Sequence, residues 1–386
     1  MLSDPQTRAA IANVPVAGAK RSGAYYRFTL PADAPIGNAP LKYNGIRFAQ
    51  IMWPLKGSSD KQAVTLMHES FHRIQPKLGF VSENSQKVAW MISGDPALDT
   101  ETGRIWLRGE IHALRRALTS SGSARRTALT DALELRAYRH AVLPSTITPE
   151  HMLDIVEGLA ESTGIDVGLP RKRRIAYTLY DMKVAEAKPN YAREFFFAIG
   201  PAYSELLDAA EPNWRRSVTP KTSITVLAAR AYGITVTIPT ASQAQAILMR
   251  YDGSTIEHEE AAREAARVAR DARYRAELVF GPTLRLPMKD FRISFNAKYT
   301  ERLGHYGSVY HHVTISAPWG RIVVSHGDAI INEAFSTLSV ATPARLTGPT
   351  VHGDGWVLML SRQARIIRDP KRPGSYTVAS GISSRH

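Results

Sequence analysis

The chain has 386 residues, no cysteine and a formal net charge of +14 at pH 7. The lack of cysteine excludes disulfides, thiolate metal ligands and cysteine nucleophiles. No run of about 18 apolar residues is present, so we expect no membrane span. The basic residues form scattered clusters without interleaved aromatic side chains, and this pattern does not predict specific binding to nucleic acid.

Alternation of apolar and polar residues predicts two strands near the start of the chain, at residues 25–30 and 46–53. A helix is predicted next, from Asp60 as its N-cap to about residue 78, because apolar residues recur there at helical spacing. Pro76 is expected to mark the last turn of this helix.

This helix carries the stretch His68-Glu69-Ser70-Phe71-His72. Residues four apart on a helix lie on the same side, so both imidazoles can reach one metal ion, with the carboxylate of Glu69 beside them. The H-E-x-x-H spacing therefore predicts a Zn²⁺ site in which His68 and His72 are ligands and Glu69 is the general base.

A catalytic zinc site needs a third protein ligand. The extended pattern H-E-x-x-H-x-x-G-x-x-H is excluded, because Gln75 and Leu78 stand where it requires glycine and histidine. Glu157 is our candidate, since Gly158 behind it would let its helix approach the motif helix closely. Glu161, one turn later, is the first alternative ligand, or it would accept a hydrogen bond from a ligand histidine. Two further alternatives are Glu110 and Glu134.

The rest of the chain predicts an α+β protein with four parts. An N-terminal β region (1–56) lines a mostly helical catalytic domain (57–250), and a long charged connecting helix (251–280) leads to a small all-β domain (281–386). Helices are predicted at 105–118, 124–141, 149–163, 174–188, 191–208, 224–231 and 255–277. C-terminal strands are predicted at 283–286, 309–316, 321–324, 356–360 and 376–378.

The H-E-x-x-H stretch followed by Glu157-Gly158-Leu159-Ala160 resembles the gluzincin metallopeptidases. Four stretches together, at 68–75, 107–114, 131–136 and 157–164, look more like a poorly characterised group of bacterial H-E-x-x-H proteins. The resemblance implies zinc-dependent hydrolysis of a peptide or protein substrate. The chain lacks the Gly-x-Met-Glu-Asn stretch that captures a free amine in aminopeptidase N-like enzymes, so the resemblance does not imply aminopeptidase specificity.

Gluzincins supply a tyrosine or histidine from a later helix to the reacting carbonyl oxygen, and the resemblance makes Tyr203 the candidate. Gly200-Pro201 is expected to interrupt an apolar helix there and to aim the phenol into a cleft, with Tyr191 and Arg193 as alternatives. The strand at 46–53 is expected to line the same cleft and to bind an extended peptide along its edge.

The sequence is compatible with a second role for the zinc site and with more than one compartment. The same ligands would serve a non-catalytic zinc-binding protein with a structural or interaction role, although an intact Glu69 favours chemistry. No apolar signal-peptide core follows Met1, so we expect a soluble protein, either cytoplasmic or, if a signal peptide has been removed, exported to a bacterial envelope compartment or secreted.

Overall fold

The computed structural model describes residues 1–80, 95–188, 191, 194–295 and 299–380. The protein belongs to the α+β class, as predicted, with helices concentrated in the first part of the chain and strands in the last. It divides into two compact units, Met1–Ala261 and Ala262–His386. Among the helices within the described residues, none is both long and apolar enough to cross a membrane.

The first unit begins with a six-stranded sheet in the order β3-β4-β2-β1-β6-β5. Neighbouring strands are antiparallel except for β1 and β6, which are parallel. The strands are β1 (Leu2–Ser3), β2 (Ala9–Ala12), β3 (Lys20–Ser22), β4 (Tyr25–Thr29), β5 (Ala39–Tyr43) and β6 (Ile46–Met52). Both predicted strands are thus confirmed, each one residue shorter at its end.

The expectation that a peptide binds along the edge of β6 is wrong. This strand is internal, since Ala39–Tyr43 pairs with it on one side and Leu2–Ser3 on the other. A further main-chain group of β6, the carbonyl oxygen of Ala49, accepts a hydrogen bond from the amino group of Met1 at 2.8 Å. The outer strands of this sheet are β3 and β5.

Helices fill the rest of the first unit. They are α1 (Ser59–Ile74), α2 (Glu101–Thr119), α3 (Gly122–Val142), α4 (Ile147–Leu153), α5 (Leu159–Gly168), α6 (Arg171–Glu186), α7 (Phe196–Ala210), α8 (Ile224–Ala231), α9 (Ala241–Met249) and α10 (Gly253–Tyr274), in which the boundary between the units falls. A π-helical turn, Asp154–Gly158, joins α4 to α5. The predicted helices are found, the one at 224–231 with the predicted bounds and the others with shifted ends. Helix α9 was not predicted, although Thr240 and Gln243 form a capping box at its start.

The motif helix α1 begins and ends earlier than predicted. Its N-cap is Ser58, whose hydroxyl accepts a hydrogen bond from the backbone N–H of Lys61, and Asp60 lies instead in the first turn, paired with Arg173. The helix ends at Ile74, ahead of Pro76, which has no N–H to continue the hydrogen-bond ladder. The carboxylate of Asp60 still favours this end of the helix, because it faces the positive end of the helix dipole.

The main core of the first unit lies between α2, α3 and α7. Leu107, Ile111 and Leu114 recur at helical spacing on α2 and are fully buried, as is Leu129 on α3. Phe196, at the start of α7, is also fully buried in this cluster. This core fixes α7, on which the π-helical turn packs.

The second unit consists mainly of two antiparallel-rich sheets. One has the order β17-β18-β7-β14-β13-β10-β9 and the other β15-β16-β12-β11-β8. The strands are β7 (Thr283–Pro287), β8 (Arg292–Phe295), β9 (Thr300–Arg302), β10 (Ser308–Tyr310), β11 (Val313–Ala317), β12 (Gly320–Val324), β13 (Ala329–Ile331), β14 (Thr337–Ala341), β15 (Thr350–Gly353), β16 (Trp356–Leu360), β17 (Ala364–Arg368) and β18 (Tyr376–Ser380). One apolar cluster contains buried side chains from both sheets, including Leu284, Ile315, Ile322 and Leu338.

The single strand predicted at 309–316 is wrong, because the chain changes sheet at His311-His312. β10 pairs with β13 in the larger sheet, and β11 pairs with β12 in the smaller one. The burial pattern changes with the partner, since β10 buries both Val309 and Tyr310, whereas β11 buries alternate residues, Val313 and Ile315.

His311 is predicted to make the stability of the second unit depend on pH. Its Nδ1 lies 2.7 Å from a carboxylate oxygen of Asp328 and its Nε2 lies 3.3 Å from one of Glu301. These hydrogen bonds raise the pKa of His311 from 6.5 to about 9. Because the folded-state pKa is above the unfolded value, the stabilisation by protonated His311 is complete below pH 6.5 and is lost as the pH rises through about 9.

We expect His311→Gln to remove this part of the pH dependence when urea unfolding of the whole chain is followed between pH 6 and 10. The exposed His352, on β15, supplies the matched control, since His352→Gln should keep the wild-type profile. A fall in stability of wild-type size between pH 6.5 and 9 in His311→Gln would contradict the assignment.

Candidate metal centre

Three side chains from two helical segments meet at one buried point. The Nε2 atoms of His68 and His72 are 2.9 Å apart, and a carboxylate oxygen of Glu157 lies 3.5 Å from the first and 3.3 Å from the second. All three residues are buried, and this group could hold a metal ion. The structure therefore brings together the three residues predicted as ligands.

The other nitrogen of His68 is held by a carboxylate. Its Nδ1 lies 2.6 Å from an oxygen of Glu161, and the second oxygen of Glu161 lies 3.2 Å from the ammonium group of Lys61. Because a carboxylate at this distance accepts a hydrogen bond, Nδ1 of His68 is the donor, and in the neutral form of His68 the lone pair is on Nε2. Glu161 is thus placed as the hydrogen-bond partner of a ligand histidine, the second of the two roles considered for it.

Gln75 does the same for His72 with a neutral amide. The side-chain oxygen of Gln75 lies 2.7 Å from Nδ1 of His72, and its NH₂ group donates to the carbonyl oxygens of Ile155 and Val156 at 3.1 and 3.0 Å. An NH₂ group only donates, so the amide oxygen must face the histidine, and Nδ1 of His72 must be the donor. In the neutral form of His72, the lone pair is therefore also on Nε2, which faces the centre.

The geometry and the charge of these residues fit a metal cation. Ligand atoms at about 2.0–2.1 Å from a tetrahedral Zn²⁺ are about 3.3 Å from one another, which falls within the separations of 2.9 to 3.5 Å found for the three atoms. Burial opposes charge on His68, but its hydrogen bonds with Glu157 and Glu161 raise its pKa to about 10. The same carboxylates that favour a proton there would favour a cation between the ligands.

Glu69 lies beside this centre with an unusual carboxylate. It is only 6% exposed, and within the described part of the chain its Oε2 atom has no hydrogen-bond partner. Burial raises the pKa of Glu69, against the opposing effect of His68 and His72. A buried carboxylate oxygen without a partner is costly, and a raised pKa suits a group that takes a proton near neutral pH.

Glu157 is positioned by the π-helical turn Asp154–Gly158. The turn widens the helix locally, so that the N–H of Leu159 bonds the carbonyl of Asp154, five residues earlier. Despite burial, hydrogen bonds from His68 and His72 hold the pKa of Glu157 well below its usual range. The carboxylate thus stays ionised inside the protein, as a metal ligand requires.

The prediction that Gly158 allows close approach to the motif helix is wrong, because Gly158 packs against a different helix. A Cβ on Gly158 would lie 3.3 Å from the Cα of Gly200 in α7, so this glycine permits the π turn to approach α7 and not the motif helix. Close approach to α1 depends on Gly164 and Gly168 of α5. A Cβ at these positions would lie 2.8 Å from the carbonyl oxygen of Val64 and 3.0 Å from the carbonyl carbon of Ala63, respectively.

Gly200→Ala tests this packing behind the ligand. The new Cβ would lie 2.4 Å from the Cα of Gly158, which is backbone and cannot rotate away. We expect a loss of about 1–3 kcal/mol in the free energy of unfolding, measured with urea, because one segment must shift. Gly158→Ala is the comparison, since its closest contact is longer at 3.3 Å and its cost should be smaller. Equal stability of Gly200→Ala and wild type would contradict the role of this contact.

Tyr203 does not have the expected placement. Gly200 and Pro201 lie within α7 without interrupting it, and the phenol of Tyr203 is buried and donates to Glu110 at 2.8 Å. Glu110 in turn accepts from Arg139, so the tyrosine belongs to a buried ionic network. The hydroxyl hydrogen is used there, and this arrangement does not support a catalytic role for Tyr203.

The remaining alternatives lie in other contacts. The hydroxyl of Tyr191 donates to the backbone carbonyl of Glu186, and Glu134 accepts a hydrogen bond from Thr237 at 2.8 Å. Arg193 lies outside the described residues. Neither Glu110 nor Glu134 is in the group that converges on the two histidines.

Three partners of the site, Gln75, Lys61 and Phe197, were not predicted. Gln75 stood out in the sequence only as a mismatch to another motif, and Lys61 carried no signal at all. The spacing of Gln75 could have indicated its role, since it is three residues beyond His72 and thus on the same face of the helix. Phe197 also contacts the site, with its ring stacked on that of His68 at a centroid distance of 5.5 Å.

Comparison of the chain with family models, with curated proteins and with solved structures finds no match in any of the three. The residues of the site and their geometry are therefore the basis for a function.

Proposed function

We propose that this protein is a zinc-dependent metallopeptidase of the gluzincin type, with His68, His72 and Glu157 as ligands and Glu69 as the general base. The single observation that carries the proposal is the convergence of the three ligand atoms beside a buried carboxylate oxygen of Glu69 that has no hydrogen-bond partner among the described residues. A purely structural site would not need such a carboxylate next to it.

The donor set favours zinc over other common metals. Two imidazole nitrogens and one carboxylate oxygen are ligands that Zn²⁺ accepts in catalytic sites, whereas Mg²⁺ and Ca²⁺ prefer oxygen ligands alone. When bound, the ion would lower the pKa of a water molecule and polarise the carbonyl group of a peptide bond.

Glu69 would supply the proton transfers. Its raised pKa lets the carboxylate take a proton from the attacking water and return it to the leaving amine, which must be protonated before it departs. Glu161 and Gln75 would keep Nδ1 of each ligand histidine protonated, so that both Nε2 atoms stay available to the metal.

The substrate would be a peptide or protein in an extended conformation. The strand next to β6 is β5, an outer strand of the N-terminal sheet that packs against α1. An extended chain can add to such an edge through main-chain hydrogen bonds, so β5 replaces β6 as the proposed platform.

The first experiment measures zinc by elemental analysis in the purified protein and in Glu157→Ala, with cleavage of a broad peptide library in parallel. We expect one zinc per chain and peptide cleavage that a chelator blocks. The zinc content of Glu157→Ala should be markedly lower, because the variant lacks the third protein ligand. Glu134→Ala is the matched control, since Glu134 bonds Thr237 and should not affect zinc. Zinc without any cleavage would favour the non-catalytic alternative, a zinc-binding protein with a structural or interaction role. Absence of zinc from the wild type would refute the proposal.

A further inference from the structure

Gln75 connects the two halves of the candidate metal centre. It is fully buried at the C-cap of α1, directly after the helix that carries both histidines. Its amide reaches His72 on one side and the carbonyls of Ile155 and Val156 on the other. These two carbonyls belong to the π-helical turn that also contains Glu157.

We propose that Gln75 is a positioning residue that couples His72 to Glu157, so that the two ligands reach their metal-binding positions together. The inference rests on the proposed function, because it concerns the same site. The mechanism is a chain of three hydrogen bonds through one amide, which fixes the tautomer of His72 and the position of the π turn together.

Only an amide can make this connection. A carboxylate at position 75 would still accept from Nδ1 of His72, but it would bring negative oxygen against two carbonyl oxygens that now receive hydrogen bonds at 3.0 and 3.1 Å. An apolar side chain of the same length would leave both carbonyls and the histidine nitrogen without this partner. The carboxylate thus keeps the hydrogen bond with His72 and loses those with the π turn, whereas the apolar side chain loses both.

The two ligand histidines differ in this respect. His68 is held by Glu161, whose charge is balanced by Lys61. Among the described residues, the Lys61 ammonium group makes no hydrogen bond to a backbone carbonyl of the π turn. His72 alone is tied to the backbone beside Glu157, with Gln75 as the connection.

The test uses the full chain with Gln75→Met and Gln75→Glu, and Zn²⁺ affinity is measured by competition with a chromophoric chelator. We expect both variants to bind Zn²⁺ at least about tenfold more weakly, as is typical when a partner of a ligand histidine is lost. Gln62→Met is the matched control, because Gln62 lies on the same helix and also donates to two backbone carbonyls, those of Leu55 and Gly57. It should stay within about twofold of wild type.

A second readout in metal-free protein does not depend on zinc. Nitrogen-15 NMR of the histidine side chains should show the Nδ1–H tautomer of His72 in wild type and a changed or mixed state in Gln75→Met. Hydrogen exchange of the backbone amides at 155–161 should be faster in both Gln75 variants than in wild type or Gln62→Met. Gln75→Glu preserves the size of the side chain, which guards against a loss of the fold in Gln75→Met.

The outcomes separate this inference from the proposed function. If wild type binds Zn²⁺ and both variants bind it equally well, Gln75 has no positioning role while the metal site stands. If Gln75→Glu alone retains affinity, the hydrogen bonds to the π turn are dispensable and the coupling is refuted. If wild type binds no Zn²⁺, the proposed function fails, and unchanged exchange at 155–161 in the variants would then overturn the coupling as well.

Discussion

Glu69→Gln should abolish peptide hydrolysis while Zn²⁺ remains bound. The substitution preserves the shape of the side chain and removes its ability to accept a proton, so the proposed base is lost but no ligand is. General acid–base catalysis by a positioned side chain contributes about 10²–10⁴-fold to the rate, and we expect a loss of that size in kcat. KM should change little, because Glu69 is not assigned a part in binding the substrate.

The measurement compares cleavage of a peptide substrate and zinc content in the same preparations. Glu205→Gln is the control, since it makes the same change of side chain in the same unit, at a residue whose own pKa is raised to about 7 by burial and the nearby Asp166 and Asp208. His72→Ala should differ from both, because it removes a ligand and should lose zinc and activity together. Full activity in Glu69→Gln would remove Glu69 from the mechanism.

Local spacing is enough to predict the part of the site that lies on α1. His68 and His72 are four residues apart, and a helix of ordinary geometry brings such residues to one face whatever surrounds them. The structure places their Nε2 atoms 2.9 Å apart on this basis. The identity of the residues and their spacing carried the information, and no long-range contact was needed.

The contribution of the second segment could be predicted only in part. An acid followed by glycine fits a ligand on a close-packed helix and predicts Glu157, yet Gly158 packs against Gly200 and not against α1. The contact of α5 with α1 depends on Gly164 and Gly168, whose spacing is that of neighbours on one helix face. Tertiary packing decides which helix a glycine faces, and a single sequence does not contain that information.

The π turn and the ionic network are also products of tertiary structure. The apolar pattern at 149–163 predicts one regular helix, and nothing local distinguishes a turn with an extra residue from the turns around it. The resemblance to gluzincins and the preceding Gly200-Pro201 predict that Tyr203 lies near the metal. Its hydroxyl bonds Glu110, which lies 93 residues away in sequence.

Arg139→Met should destabilise the first unit more than any change at its surface. Arg139 is fully buried, donates to Glu110 at 2.8 Å, and makes two hydrogen bonds to Glu150 at 2.7 and 3.0 Å. Burial opposes ionisation of Glu150, but Arg139 and Arg136 hold its pKa well below the usual range. Removal of Arg139 would leave two buried carboxylates without their main partner, which typically costs about 3–5 kcal/mol.

Urea unfolding of the full chain at pH 7 measures this loss, and Arg173→Met is the matched control. Arg173 is 55% exposed and pairs with Asp60 at the surface, where such a pair contributes about 0–1 kcal/mol. Arg136, the second arginine of the network, donates to Asp154 at 2.8 Å, and Asp154 is the first residue of the π turn. If the network supports the turn that carries Glu157, Arg139→Met should therefore also weaken Zn²⁺ binding. A change below about 1 kcal/mol in the free energy of unfolding would show that the buried carboxylates are satisfied without Arg139.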